Sequence, residues 1–265
     1  MKRALTLCLC TICIAALIAQ NKLFINKTDN TTLGAPISLI DSISFSTDGS
    51  AILFHMGSTA AEYSTISLDS LSFGENATTV YIVLNGAIAR ILNPLAFEGV
   101  SVQVSGADVS ITSTTETSDI NYVLTGTTTN GTFKINSEKR FNLLLNGVNI
   151  TNTDGPAINI QSGSKASVIL ADGTSNYLAD GTTYATAPLN LENVEEDQKS
   201  TFFSEGQLIF TGAGALNLKS AGTDKHALCS DDYIEVDKGN ITISSALNDG
   251  IHAKEGVRML GGTLI

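Results

Sequence analysis

The C-terminal stretch of the chain aligns with itself, and this limits the available folds more than any other feature. Leu228, Ile234, Val236 and Ile241 return in the same order as Ile251, Val257, Met259 and Leu264, and Gly239 returns as Gly262. The offset is 251 − 228 = 23 residues. A looser copy, beginning Phe202-Phe203-Ser204, precedes by 228 − 202 = 26, and Leu143-Leu144-Leu145 returns as Val168-Ile169-Leu170 after 168 − 143 = 25. A period of roughly twenty-odd residues, with short strands between Gly, Asn and Asp corners, makes units that cannot bury their own inward side chains. Such units must lie one upon another, so that equivalent apolar positions form continuous ladders. A β-sandwich would show longer alternating strands without a fixed period. The expectation is an all-β chain with a parallel β-helix, a solenoid, from residue 99 to 265.

Composition agrees. Only 15% of residues are charged, there is no Trp, and apolar residues come as short Val, Ile and Leu runs rather than helical stripes. The 26 acidic side chains outnumber 15 basic ones, giving a net charge of −11. That balance argues against a nucleic-acid partner, which needs a basic face.

Lys2 and Arg3 precede an apolar run from Ala4 to Ala19, the n- and h-regions of a signal peptide over residues 1–20. The run is short for a membrane span, which takes about 20 residues, and no second long apolar stretch follows. Cleavage near Ala19 or Gln20 and retention as an anchor both fit. The expected location is secreted, periplasmic or cell-surface. Cys8, Cys10 and Cys13 lie inside this segment, which leaves Cys229 without an internal disulfide partner. Cys229 reads as a small buried hydrophobe.

Residues 22–98 carry a different pattern. Leu39-Ile40-Asp41-Ser42-Ile43-Ser44-Phe45 returns as Ser67-Leu68-Asp69-Ser70-Leu71-Ser72-Phe73, an offset of 69 − 41 = 28. This predicts two β-hairpin units, each closed by a short Asp-Ser segment whose alternate apolar residues anchor it. Val80–Leu84, the Asn85-Gly86 turn and Ala87–Leu92 predict a further hairpin. A boundary is expected between Asn93 and Gly99.

From about Val100 onward the chain resembles a bacterial, Bacteroidetes-type family of carbohydrate-binding domain proteins with pectate-lyase-like right-handed β-helices. The resemblance is carried by Tyr122-Val123-Leu124-Thr125-Gly126, Leu143–Ile150, Gly155-Pro156-Ala157-Ile158, Leu170–Asn176, Leu208–Gly214, Ser230-Asp231-Asp232 and Asn248-Asp249-Gly250-Ile251. It implies calcium held at the corners, and polysaccharide partners of acidic, pectin-like or cellulosic kind. Family members are usually longer, and this chain ends at Ile265 within a strand. Further coils are therefore expected in a full-length protein.

The acidic corners at Ser230-Asp231-Asp232 and Asn248-Asp249-Gly250 bracket one 23-residue unit. Calcium takes six to eight oxygens, and corners of adjacent coils, ~4.8 Å apart, can share an ion. The metal candidates are Asp231, Asp232 and Asp249, followed by Asn248, Asp224 and Glu255. The same Asp and Asn residues can equally serve as turn formers. Tyr177, Tyr184, Tyr233, Phe202 and Phe203 are the candidate sugar platforms, with core packing the alternative for the Phe pair. Glu192, Glu195, Glu196 and Asp197 form an acidic run that reads as a solvated, projecting loop. His226 and His252, one per coil, do not make a zinc site.

Three function classes follow: non-catalytic polysaccharide binding, a calcium-dependent polysaccharide lyase, and a structural or adhesive scaffold. A lyase needs a base near the ion, for which Lys225, Lys254 and Arg258 are available. No feature shows a lowered Lys or Arg pKa, and the binding reading is preferred.

Overall fold

The computed structural model describes residues 21–75, 77–190 and 193–265. The expected signal segment, with Cys8, Cys10 and Cys13, lies outside the described residues, as does Glu192 of the acidic run. The chain is all-β. Its strands are β1 (Lys22–Lys27), β2 (Thr31–Pro36), β3 (Ser42–Phe45), β4 (Ala51–Met56), β5 (Thr59–Ser64), β6 (Leu68–Gly74), β7 (Thr79–Asn85), β8 (Ile88–Asn93), β9 (Val100–Ser105), β10 (Asp108–Ser113), β11 (Ile120–Thr128) and β12 (Phe133–Ser137). They continue as β13 (Phe141–Thr151), β14 (Ile158–Ile160), β15 (Ala166–Leu170), β16 (Ser175–Ala179), β17 (Ser200–Ser204), β18 (Leu208–Thr211), β19 (Ala215–Lys219), β20 (His226–Ser230), β21 (Tyr233–Val236), β22 (Asn240–Ser245), β23 (Ile251–Ala253), β24 (Gly256–Met259) and β25 (Thr263–Leu264). Among the described residues no helix is long and apolar enough to cross a membrane.

Two units separate by their contacts. The first takes residues up to Thr78 together with Leu92–Glu98; the second takes Thr79–Ile91 and Gly99–Ile265. The division thus differs from a single break at 93–99, because β7 pairs in parallel with β11 and so joins the later strands.

In the first unit the repeat read from the sequence has a structural counterpart. Short 3-10 turns at Ile37–Leu39 and Thr65–Ser67 occupy equivalent places in the two segments, and β1 and β4 share one burial pattern. The two segments are not self-contained hairpin units, however. β1 pairs antiparallel with β2 and with β6, while β4 pairs antiparallel with β5 and with β3. Each closing strand therefore pairs with the first strand of the other segment. Leu23, Ile25, Ile52 and Phe54 form the core, with Phe97 packed against it. Lys22 is buried, and its ammonium donates to the Pro94 carbonyl and to Glu98, each at 2.5 Å. These bonds and Phe97 hold Leu92–Glu98 in this unit. The closing strands are not anchored by their apolar residues as the pattern predicts, since Phe45 is 68% and Phe73 58% exposed. Both strands are sheet edges, so one flank has no neighbour.

The second unit is built mainly of parallel ladders, with β9 and β10 pairing antiparallel at the start of one of them. In the first, Val80, Tyr122, Leu143, Val168, Phe210, Val236 and Met259 stand in one register. All but Met259 are fully buried. In the second ladder Val109, Phe133, Ile158, Phe202, Leu228 and Ile251 are aligned. In the third, Ile150 leads through Leu178 and Leu218 to Ile243. The pairs Leu228–Ile251, Val236–Met259 and Ile241–Leu264 are those that the repeat at the C-terminal end requires. The step from Val168 to Phe210 is longer than the steps on either side of it because the segment between β16 and β17 intervenes. Alternation places Phe133, Ile135 and Ser137 inward and Lys134 and Asn136 on the opposite face, as the two-residue period of a strand demands.

Candidate functional site

The outward face of the second ladder is where polar side chains converge. Lys134 of β12 and Asn159 of β14 stand on adjacent rungs, because strand alternation turns both away from the core. Opposite them lies the segment before β17. Leu189 bridges Glu195, and the Glu196 amide donates to the Pro188 carbonyl at 2.9 Å, so this segment makes a small antiparallel turn. It folds back on the ladder rather than projecting. Lys134 Nζ donates to both Glu196 oxygens at 3.0 and 3.1 Å, and Gln161 Nε2 donates to the Asp197 carbonyl at 2.8 Å. The Glu196 side chain is only 9% exposed. Of the acidic run expected to be solvated, Glu195 is exposed as read, whereas Glu196 is ion-paired onto the sheet, because Lys134, far earlier in the chain, supplies the opposite charge.

Two recesses of about 450 and 590 Å³ flank this ion pair. They share Gln103, Ser110, Lys134 and Glu196. Asp108 and Asn159 line the first, and Asn136 and Gln161 the second. Burial pushes the Asp108 carboxyl above the usual range; the Thr132 amide at 3.1 Å opposes this and the Asp154 carboxylate adds to it. A third recess beside them is lined by Tyr184, Thr223 and Lys225. Amides, hydroxyls and carboxylates line the recesses together with apolar side chains, Val104, Pro156 and Pro188 in the first and Ile111 and Leu189 in the second, along a ladder whose rungs repeat at ~4.8 Å.

Of the candidate sugar platforms, Tyr184 lies at this face. Its hydroxyl donates to Asp180 at 2.7 Å, and the Lys225 ammonium sits 4.7 Å from its ring centroid. Burial, then the Asp180 carboxylate, drives the phenol pKa far up. Tyr177 is on β16 and Tyr233 on β21, in the other ladders and away from the recesses. Phe202 and Phe203 are fully buried, so of their two readings core packing is the one the structure gives.

The acidic corner residues do not meet in one place. Asp231 and Asp232 follow β20, whereas Asp249 precedes β23. Since β20 and β23 run parallel, residues after one strand and before the next lie at opposite ends of the ladder. Asp224 and Asn248 share the Asp249 end, where Asn248 Nδ2 stands 3.5 Å from the Asp224 carbonyl. Glu255 shares the Asp232 end, where its amide donates to the Asp232 carbonyl at 3.0 Å. Asp232 Oδ1 accepts from the Tyr233 amide at 2.8 Å, a turn-forming use of the carboxylate.

Two groups of ligand-type atoms gather within 4.8 Å among the described residues: Asp197, Glu205 and Asp231, and separately His226, Asp249 and His252. Lys199 occupies the first, with its ammonium 2.7 Å from Asp197 and 2.6 Å from Asp231. Partial burial disfavours the charged Lys199, but the bonds to Asp197 and Asp231 outweigh this and hold its pKa above the usual lysine value. The ammonium already supplies the positive charge a metal would bring. The second group offers two nitrogens and one carboxylate, a donor set unlike the all-oxygen shell of calcium. The first group has the oxygen donors calcium takes but holds Lys199 on two of its three carboxylates, and the second does not match calcium. Cys229 is buried, and its thiol is pushed up to about 12 by burial, then by Asp231, with Lys199 opposing. It is no nucleophile.

Glu205 gives a pH test of the first group. Burial, then the Asp197 and Asp231 charges, raise its carboxyl pKa, with Lys199 opposing. A carboxyl whose folded pKa is raised stabilises below its unfolded pKa, and that stabilisation is lost as pH rises through the folded value. Glu205→Gln is therefore expected to stabilise the protein at pH ~7 by up to about 1 kcal/mol after solvent screening. The gain should vanish by pH ~4, where the wild-type carboxyl is also neutral. Thermal melts at the two pH values check this, and an equal difference at both would refute it.

Residues 105–265 match the model of a family described as carbohydrate-binding domain-containing protein. A protein of that description from Acetivibrio thermocellus is 29% identical over 127 residues, covering 47% of this chain and 42% of that relative. The match spans less than half of the relative's length. A solved structure, described as the polysaccharide lyase-like protein from C. thermocellum in a gadolinium derivative, is 25% identical, with a TM-score of 0.52. The likeness covers 70% of this chain and 81% of that one. The family match takes in the parallel strands from β10 onward, the Lys134–Glu196 pair and both ligand groups, and the chain belongs to the family of carbohydrate-binding domain-containing proteins.

Proposed function

We propose that this chain is an exported polysaccharide-binding module, acting outside the cytoplasm, whose ladders are the faces of a right-handed parallel β-helix. Parallel pairing after short steps, from Tyr122 to Leu143 and from Val236 to Met259, supports the helix, since each step is one coil. The observation that carries the binding role is the pair of recesses sharing Gln103, Ser110, Lys134 and Glu196. Amides, hydroxyls and carboxylates are the partners that sugar hydroxyls need, and a ladder with a regular rise suits a chain of repeated units. The lining carries Asp108, Asp154, Glu195, Glu196, Asp197 and Glu205 against Lys134. A uronate chain would be repelled there. The reading therefore favours a neutral, cellulosic type of polysaccharide.

Gln103 and Asn136 are exposed and line the recesses, so their removal should not disturb folding. Losing two hydrogen bonds of about 0.5–1.5 kcal/mol each predicts roughly tenfold weaker glycan binding for the Gln103→Ala/Asn136→Ala double variant. Affinity electrophoresis in gels holding soluble cellulose derivatives measures it; unchanged mobility shifts would place the glycan elsewhere.

Calcium enters this reading at the Asp231, Asp232 and Glu255 end, where it would have to compete with Lys199 for Asp231. Calcium that raises the melting temperature of Lys199→Met but not of the wild type would identify that competition.

The polysaccharide lyase-like neighbour favours a second reading, elimination at a uronate. The basic residues of this chain speak against it: Lys199 is held on the charged side, Arg258 donates to Glu235 at 3.1 Å, and Lys225 rests on Tyr184. Ultraviolet absorbance of a new carbon–carbon double bond on incubation with pectate would reverse this preference.

A further inference from the structure

The open flank of β3, in the first unit, is complementary to itself. Among the described residues no strand pairs beyond β3, which is an edge of its three-stranded sheet. The Ser46 amide donates to the Ala51 carbonyl at 2.9 Å, and the register continues with Ser44 opposite Leu53 and Ser42 opposite His55. Ladder bonds of an antiparallel pair fall on alternate residues. Ser42 and Ser44 therefore bond to β4, while Ile43 and Phe45 turn their N–H and C=O groups to the open flank. The side chains of Ile43 and Phe45 stand opposite the buried Phe54 and Ile52, and so on the inner face of the sheet. Yet Ile43 is 44% and Phe45 68% exposed. The apolar inner face runs on past the point where its own unit covers it.

A second β3, turned about a twofold axis at Ser44, answers both the open backbone groups and the bare side chains. Ile43 of each copy then faces Phe45 of the other, and each such pair exchanges both of its N–H···O bonds. The two apolar pairs extend the inner face, and the serines line the outer one. Charge selects this strand over its neighbours. Strands left as edges are ordinarily blunted by charge, Pro or a bulge; β5 carries Glu62 and β6 carries Asp69, but β3 carries no charged residue. In the twofold register Asp41 falls opposite Thr47. The equivalent pairing of β6 with itself, Leu71 facing Phe73, would set Asp69 against Glu75, and β3 on β6 would set Asp41 against Glu75. Like charges directly opposite are destabilising.

We propose that β3 is a self-association edge, on which a second copy of this chain pairs antiparallel with Ser44 on the twofold axis, joining two three-stranded sheets into one of six. The contact is one short strand and two apolar side chains from each copy. That is smaller than the ~1,200–2,000 Å² of stable complexes, so the dimer is reversible. It lies in the first unit and does not rest on the recesses beside Lys134.

Sedimentation velocity of the full chain, from micromolar to near-millimolar concentration, is expected to show a monomer passing into a dimer. Phe45→Lys removes one apolar partner and charges the edge, and should weaken the dimer at least about tenfold. Disulfide trapping then tests the register, in a chain whose Cys8, Cys10 and Cys13 are replaced by Ser; Cys229 is buried. Ser44→Cys should crosslink two copies in oxidising buffer, because Cα atoms of a non-hydrogen-bonded pair lie ~4.5 Å apart, within disulfide reach. Ser42→Cys, which faces Ser46 of the other copy, should not. A monomer at every concentration would overturn the proposal and leave β3 open to a strand of another protein. A dimer indifferent to Phe45→Lys would also overturn it, as would Ser42→Cys crosslinking as fast as Ser44→Cys. Glycan electrophoresis of Phe45→Lys should match the wild type, so failure of the dimer and failure of the glycan reading are told apart.

Discussion

Gly212→Ala is expected to destabilise the second unit by about 3–4 kcal/mol, the sum of a left-handed backbone penalty and a steric one. Gly212 follows β18 with φ = +86°, and a Cβ there would be driven into the Leu170 carbonyl oxygen of the preceding rung. Gly126 repeats this arrangement at φ = +89° against the Leu84 carbonyl. Backbone passes backbone at rung spacing at these points, leaving no room for a side chain. For a chain of this size the loss corresponds to a melting temperature lower by roughly 10 °C. Gly173→Ala is the control. Its φ is +73° but nothing lies within 4 Å of the added carbon, so only the backbone penalty of about 1 kcal/mol remains. Equal losses at the two positions would mean that contact with the next rung does not matter.

The second large effect is expected at Asn176, a fully buried polar residue in an otherwise apolar ladder. Its Oδ1 accepts from the Val148 amide at 2.9 Å, and its Nδ2 donates to the Ala215 carbonyl at 3.0 Å. One side chain thus satisfies backbone groups on the rung before and the rung after. Asn176→Leu keeps the volume but strands a buried donor and a buried acceptor, each worth ~1–3 kcal/mol. A total loss of about 2–4 kcal/mol should follow in denaturant melts. A loss below about 1 kcal/mol would show that water replaces the amide.

Much of the parallel pairing is legible in the sequence because the constraint is periodic: Ile251 must lie on Leu228 and Met259 on Val236 for Leu228 and Val236 to be covered. Where a segment intervenes, the period is hidden, and nothing in the spacing marks Val168 as the partner of the distant Phe210. The site is less legible for the same reason. Lys134 and Glu196 are far apart in the chain, and a charge run reads as solvated until its counter-charge is located. The histidines are obscured by the register itself. The repeat sets His252 opposite Cys229, as the strands do pair. The ring that stacks on His252 is nonetheless that of His226, three residues before Cys229, at 4.5 Å between centroids. Asp231 and Asp249 look adjacent as successive corners, but strand polarity puts them at opposite ends.

The exchange of closing strands in the first unit has a consequence for assembly. Because β6 completes the sheet of β1 and β3 completes that of β4, one repeat segment alone has a first strand without its third neighbour and a closing strand with nowhere to pair. Two separate chains, each carrying one such segment, would satisfy both needs by swapping closing strands. The unit is in effect a domain-swapped dimer written into a single polypeptide, and shortening the connection between Phe45 and Ala51 would favour the intermolecular form.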